Sequence, residues 1–165
     1  MKFYAGIGSR QTPLDIQARM TQLAATLATR NYCLRSGAAN GADAAFELGV
    51  PVSRDGSVLK EIYLPWPRFN NHKTGWYRIP DWAFEMAAQH HPNWANLKIS
   101  VRNLHARNCL QVLGFTREHP SSFILYWTEG GKLVGGTAQA LRIAEAHDIP
   151  AYWVSSPDWQ LPDHI

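Results

Sequence analysis

Short apolar runs alternate with helix-periodic stretches along most of the chain. Lys2–Gly6, Tyr32–Arg35, Glu61–Leu64, Ser122–Trp127 and Ala151–Val154 each read as a strand. Between the first two, Ile16, Met20, Leu23 and Leu27 recur at helical spacing and make one apolar stripe. That helix has a start signal: Thr12 as cap, Pro13 at the first helical position and Asp15 as a capping-box acid. Asn31 is its expected end. Gly41–Leu48 reads as a small-residue helix whose Ala42, Ala44 and Ala45 permit close packing on a sheet. Ile99–Leu113 reads as a longer helix, and Gly136–His147 as a last one with Ala138, Leu141, Ile143, Ala144 and Ala146 on its apolar side. Ser122–Trp127 is the most apolar run and is expected at the centre of the sheet.

Strands that alternate with helices predict an α/β fold, a Rossmann-like parallel sheet with helices on both faces. In such sheets ligands bind beyond the carboxyl ends of the strands, at the point where the strand order reverses. One region breaks the alternation. An insert at about 65–96 holds Trp66, Phe69, Trp76, Tyr77, Trp82 and Trp94, interleaved with Arg68, His72, Lys73, Arg78, His90 and His91. Prolines at 65, 67 and 80 make its first half irregular, and Asp81 is expected to cap a short helix around Trp82–Gln89. The whole chain, 1–165, reads as one domain carrying this insert.

Two glycine-rich turns each follow a strand and precede a helix. The first is Gly6-Ile7-Gly8-Ser9-Arg10 and the second Gly130-Gly131-Lys132-Leu133-Val134-Gly135-Gly136-Thr137. A strand that breaks into glycine and enters a helix points bare N–H groups at one spot, where the helix dipole also favours an anion. Gly8, Ser9 and Arg10 on one side, with Gly135, Gly136 and Thr137 on the other, are therefore candidate phosphate ligands. The arginine adds a bidentate fork. Ser36-Gly37-Ala38-Ala39-Asn40-Gly41-Ala42-Asp43 brings close backbone and an early-helix carboxylate to the second strand. Asp43 there serves either a ligand or the loop's own N–H groups. Arg107 and Asn108 on the long helix are candidates for a phosphate and a base edge. Glu129, directly after the most apolar strand, is a candidate hydrogen-bond acceptor or general base. Trp66, Trp76, Tyr77 and Trp82 either close over a base as a lid or fill a satellite core or subunit interface.

Composition narrows this reading. The chain has 165 residues, 45% of them hydrophobic, which suffices for a full core. A net charge of +3 tolerates an anionic partner and is too mild to indicate long nucleic acid by itself. Cys33 and Cys109 sit inside apolar runs and are expected to be buried free thiols. The seven histidines show no metal-ligand spacing, so neither a metal nor a cofactor is expected. The opening turn lacks the third glycine of a dinucleotide fingerprint, and no Gly-x-Ser-x-Gly elbow is present. With no membrane-length apolar stretch and no leader pattern, the expected location is the cytoplasm.

Gly6-Ile7-Gly8-Ser9-Arg10, Ser36-Gly37-Ala38-x-x-Gly41-x-Asp43, Arg107-Asn108 and Glu129 followed by Gly135-Gly136-x-Ala138 occur in one order. That order resembles the Rossmann-like domain of the DprA/Smf DNA-processing proteins, within the superfamily that includes the LOG nucleotide hydrolases. The resemblance spans about residues 3–154 without the insert. It implies a site for a nucleotide, a nucleotide-derived small molecule or single-stranded DNA, no membrane partner, and self-association into a homo-oligomer. The LOG branch implies instead a nucleotide N-glycosidase, or phosphoribohydrolase. The glutamate that serves that chemistry falls here on Gln139 or Ala140, so Glu129, with Asp43 second, is the carboxylate left for catalysis. The sequence leaves open a binder, an enzyme, or an interaction module built on the aromatic insert, and Gln139 favours the binder.

Overall fold

The computed structural model describes residues 1–52 and 59–165. Five parallel strands, β1 (Lys2–Gly8), β2 (Tyr32–Ser36), β3 (Lys60–Ile62), β4 (Ile124–Trp127) and β5 (Ala151–Trp153), lie in the order β3-β2-β1-β4-β5. The helices are α1 (Leu14–Thr29), α2 (Ala42–Gly49), α3 (Asp81–His90), α4 (Ile99–Leu113) and α5 (Gly135–Ala146). The alternation of strand and helix thus gives the expected layered α/β fold. The centre belongs to β1, and β4 lies between β1 and β5. The apolar density of the Ser122–Trp127 run reflects burial on both faces, which every interior parallel strand experiences.

The period-2 alternation of β1 feeds two cores. Tyr4 packs with Ile16, Met20, Leu23 and Leu27 of α1 and Phe46 of α2. Ala5 and Ile7 pack on the opposite face with Leu110 and Leu113 of α4 and Ile143 of α5. Ala42 and Ala45 are buried against the sheet as expected, whereas Ala44 points outward. Both cysteines are buried and unpaired, and burial pushes each thiol up to about 12.

Neither Thr12 nor Asp81 makes the expected capping hydrogen bond. Pro13 occupies the position before α1, and the Thr12 hydroxyl donates to Ser9 O at 2.6 Å. Asp15 accepts from the N–H of Ile16 at 2.8 Å. Asp81 begins α3 behind Pro80 and makes no capping hydrogen bond. Both helix starts follow a proline, whose fixed φ sets the entry and needs no side-chain cap.

The insert has a structural task at one sheet edge. Trp76 N donates to Ile62 O at 2.8 Å and Leu64 N to Trp76 O at 2.6 Å. A two-bond bridge thereby covers the open side of β3, where exposed strand groups invite foreign pairing. Arg102 of α4 donates to Trp94 O and Ala95 O at 3.2 and 3.0 Å and anchors the end of the insert. None of the described helices is long and apolar enough to cross a membrane.

Candidate ligand-binding site

Chain connections leave β1 in one direction toward β2 and return to β4 on its other side, so the strand order reverses between β1 and β4. A cleft of about 900 Å³ opens at the carboxyl ends of those two strands. Gly8, Ser9 and Arg10 form one wall, and Val134, Gly135, Gly136 and Thr137 another. Ser9 N donates to Trp127 O at 3.0 Å, while Ser9 O accepts from Thr12 N and Ala42 N. The turn is therefore tied to β4, to the segment that leads into α1 and to α2 at once. Arg10 extends from it into solvent, and its side chain makes no hydrogen bond or ion pair among the described residues.

The loop between β2 and α2 is locked from both sides. Asp43 Oδ2 accepts from Gly37 N at 3.1 Å and Ala39 N at 3.4 Å. Arg107 Nη1 donates to Gly37 O and, at 3.2 Å, to Tyr63 O. The Gly37 peptide is thus held by a carboxylate on its N–H and a guanidinium on its carbonyl. A Cβ at Gly37 would overlap Arg107 Nη1 and Gln111 Nε2, so a larger residue there would have to displace both side chains from the frame. Arg107 Nε donates to Asn108 Oδ1 at 3.0 Å, and Asn108 Nδ2 to Gly136 O at 2.9 Å. This relay runs beneath the cleft from α2 to the start of α5. Burial pushes the Asp43 carboxyl up to about 6, against the opposing pull of Arg107 and of the N–H groups of Ala39, Gly37 and Gly8. Arg107 is shifted down by burial and supported by Asp43. Both side chains line the cleft while their hydrogen bonds are spent on the frame. Ser36 Oγ donates to Gly6 O at 2.7 Å and stitches β2 to β1; Ser36 and Gly37 lie behind the cleft wall.

On the β4 side, Thr128 and Glu129 leave the strand into a 3-10 turn over Glu129–Gly131. α5 then opens at Gly135 with φ +64 and no side-chain cap, so its first N–H groups face the cleft unpaired. Thr128 Oγ is buried, lines the cleft and has no hydrogen-bond partner. Glu129 is exposed on the rim, and its carboxylate makes no hydrogen bond or ion pair among the described residues. Gln139 is turned away. It donates to Ala87 O at 2.9 Å, accepts from Arg142 at 2.7 Å and clamps α5 to α3, while Ala140 lines the cleft.

Of the four aromatics expected as a lid, Trp66 lines the cleft, joined by Phe69 in an edge contact at 5.2 Å. Arg107 lies over the Phe69 ring at 5.7 Å, and Asn70 Nδ2 donates to Ala38 O at 2.9 Å, docking this turn on the Gly37 loop. Trp76, Tyr77 and Trp82 lie elsewhere. Trp76 bridges β3 and approaches Phe115 at 6.0 Å, Tyr77 is exposed beside it, and Trp82 packs into the α3/α4 core under Arg117. Gln111, Trp127 and Thr128 are among the cleft residues that the sequence did not single out. Gln111 follows Arg107 by four residues in α4, a same-face spacing that is a usable signal. Thr128 and Trp127 flank the strand end before Glu129.

No family model matches the chain, and no curated protein is detectably similar. A solved structure of DNA processing protein A from Helicobacter pylori, described for its single-stranded DNA binding mode, is similar at a TM-score of 0.61 and 20% identity. The similarity covers 92% of this chain and 64% of that one, so the chain spans less than two thirds of its neighbour's length. The Rossmann-like arrangement expected from the DprA/Smf resemblance is thus also the fold of a DNA-processing protein.

Proposed function

We propose that the protein binds a nucleotide or a nucleotide-derived small molecule in this cleft, its phosphate at the start of α5 beside Arg10. One observation carries the reading. Both glycine turns meet across a single cleft at the switch point, one bearing an unpaired arginine and the other an uncapped helix start. The unpartnered Thr128 hydroxyl on the same wall supports it. The likeness to a single-stranded DNA binding protein keeps an extended nucleotide chain as the alternative ligand. The net charge of +3 favours the small one. Calorimetry with nucleoside monophosphates and ribose 5-phosphate tests the assignment, with a short single-stranded oligonucleotide as comparison. Micromolar to millimolar binding that Arg10→Ala weakens is expected; no binding of any phosphate ligand overturns it.

An N-glycosidase reading is favoured by the Glu129 carboxylate, which stands on the rim without a partner. With Gln139 committed to α3, no other carboxylate of the α5 loop reaches the cleft. Base release that Glu129→Gln abolishes, with binding retained, would establish it. No base release from any monophosphate by the wild type would leave the binder.

A further inference from the structure

We propose that Gln111 reads the base of the bound nucleotide, in a subsite shared with Trp66 and Phe69. The proposal rests on the nucleotide reading of the cleft and assigns its far end. Gln111 is only 2% exposed, yet its carboxamide makes no hydrogen bond among the described residues and lines the cleft. A carboxamide that reaches a cleft with no protein partner keeps its donor and its acceptor for whatever fills that cleft. Its neighbours are otherwise occupied. Arg107, one turn earlier on α4, spends its guanidinium on Gly37 O, Tyr63 O and Asn108. Asn108 is spent on Arg107 and Gly136. Gln111 is the carboxamide of this wall that remains open.

The surroundings specify a flat, uncharged group. Gln111 Nε2 packs against Gly37, whose loop carries the Phe69–Asn70 turn through the Asn70–Ala38 hydrogen bond. Trp66 meets Phe69 edge-on and is 37% exposed, so a face remains for a base to stack on. The open helix start of α5 lies across the cleft on the β4 side. A nucleotide lying along the carboxyl edge of the sheet therefore has its phosphate at Gly135–Thr137 and its base at Trp66, Phe69 and Gln111. A carboxamide offers a donor beside an acceptor. It pairs with a base edge that presents the same two groups in complementary order, as adenine does with its amino group and ring nitrogen.

The test compares AMP, GMP and ribose 5-phosphate by calorimetry on the wild type, Gln111→Leu and Gln111→Glu, with melting curves to confirm folding. The wild type should bind AMP more tightly than ribose 5-phosphate. Gln111→Leu should weaken AMP by about tenfold or more and leave ribose 5-phosphate unchanged. Gln111→Glu, which only accepts, should lose AMP and favour the two-donor edge of GMP. Equal losses of AMP and ribose 5-phosphate in both variants would make Gln111 a packing residue and overturn the proposal. So would AMP binding no tighter than ribose 5-phosphate in the wild type, although the phosphate site would then stand. Binding of neither ligand by the wild type would instead remove the nucleotide reading itself.

Discussion

The two glycine turns carry the same residue type for opposite physical reasons. In the first, glycine makes room for neighbours. A Cβ at Gly6 would come within 2.6 Å of Phe46 Cγ and 2.8 Å of Leu34 Cδ1, both in the core. In the second, glycine makes a backbone shape. Gly135 has φ +64, and nothing lies within 4 Å of where its Cβ would stand. The first turn is bonded to β4, to α2 and to the segment before α1 through Ser9; the second stands open with an uncapped helix behind it. A rigid wall facing an open one suits a site that must hold a ligand and also admit it. A glycine count does not separate these roles, whereas the contacts of each missing Cβ do.

Substitutions that respect this contrast should separate stability from binding. The largest expected effect is Gly6→Val. Overpacking against Phe46 should cost up to about 3 kcal/mol, a fall of roughly 10 °C in melting temperature. Adding Phe46→Ala should give a double variant less destabilised than the sum of the singles. Simple additivity in the melting data would refute a packing role for the first turn. Next is Arg10→Ala, which removes the charged hydrogen bond proposed for the ligand's phosphate. Calorimetry should show affinity weaker by about 1.5–3 kcal/mol with the melting temperature unchanged.

Gly135→Ala should act between these extremes in kind and below both in size. The left-handed conformation costs an alanine about 1–2 kcal/mol, with no clash to add. Affinity for phosphate ligands should fall with it, because the first N–H groups of α5 move. A melting loss as large as that of Gly6→Val would show that both turns are packed alike. The last effect is a slope with pH, and it concerns the carboxyl buried beside the first turn. Asp43 takes its proton at about 6 in the fold, against an ordinary value of 3.8. Its contribution therefore favours the fold at pH 4 and is lost as pH rises through 6. Asp43→Asn removes this dependence, so its stability relative to wild type should improve between pH 4 and 7. Melting curves across that range check the slope. The opposite slope would show that Asp43 is held as a well-compensated carboxylate.

Much of the frame was legible because burial leaves a periodic mark. The stripe Ile16, Met20, Leu23 and Leu27 and the runs of the five strands are direct consequences of facing a core, and α4 spans the expected Ile99–Leu113. Capping was less legible. Thr12 and Asp81 carry the chemistry of caps, but the prolines beside them fix the helix entry, neither side chain caps, and Thr12 bonds Ser9 O instead. In the site, residue type announced which side chains suit a phosphate or a base, without saying which would be consumed by the frame. Arg107 and Asn108 look like ligand groups in sequence and spend their hydrogen bonds on Gly37, Tyr63 and Gly136. Gln111 and Thr128 look ordinary, yet both line the cleft, and the Thr128 hydroxyl is buried there without a partner.

The sequence by itself determined the alternation of strand and helix, the parallel sheet, and the two glycine turns at strand ends. Each follows from local rules of period, conformation and connection that act within a few tens of residues. Tertiary structure alone decided that β1 holds the centre, that Trp76 seals an edge while Trp66 faces the cleft, and which polar groups remain unpaired. These outcomes depend on partners far apart in the chain: Arg107 on Gly37, Gln139 on Ala87 and Asn70 on Ala38. A side chain is available to a ligand only when no such partner has taken its hydrogen bonds, and packing decides which partners meet.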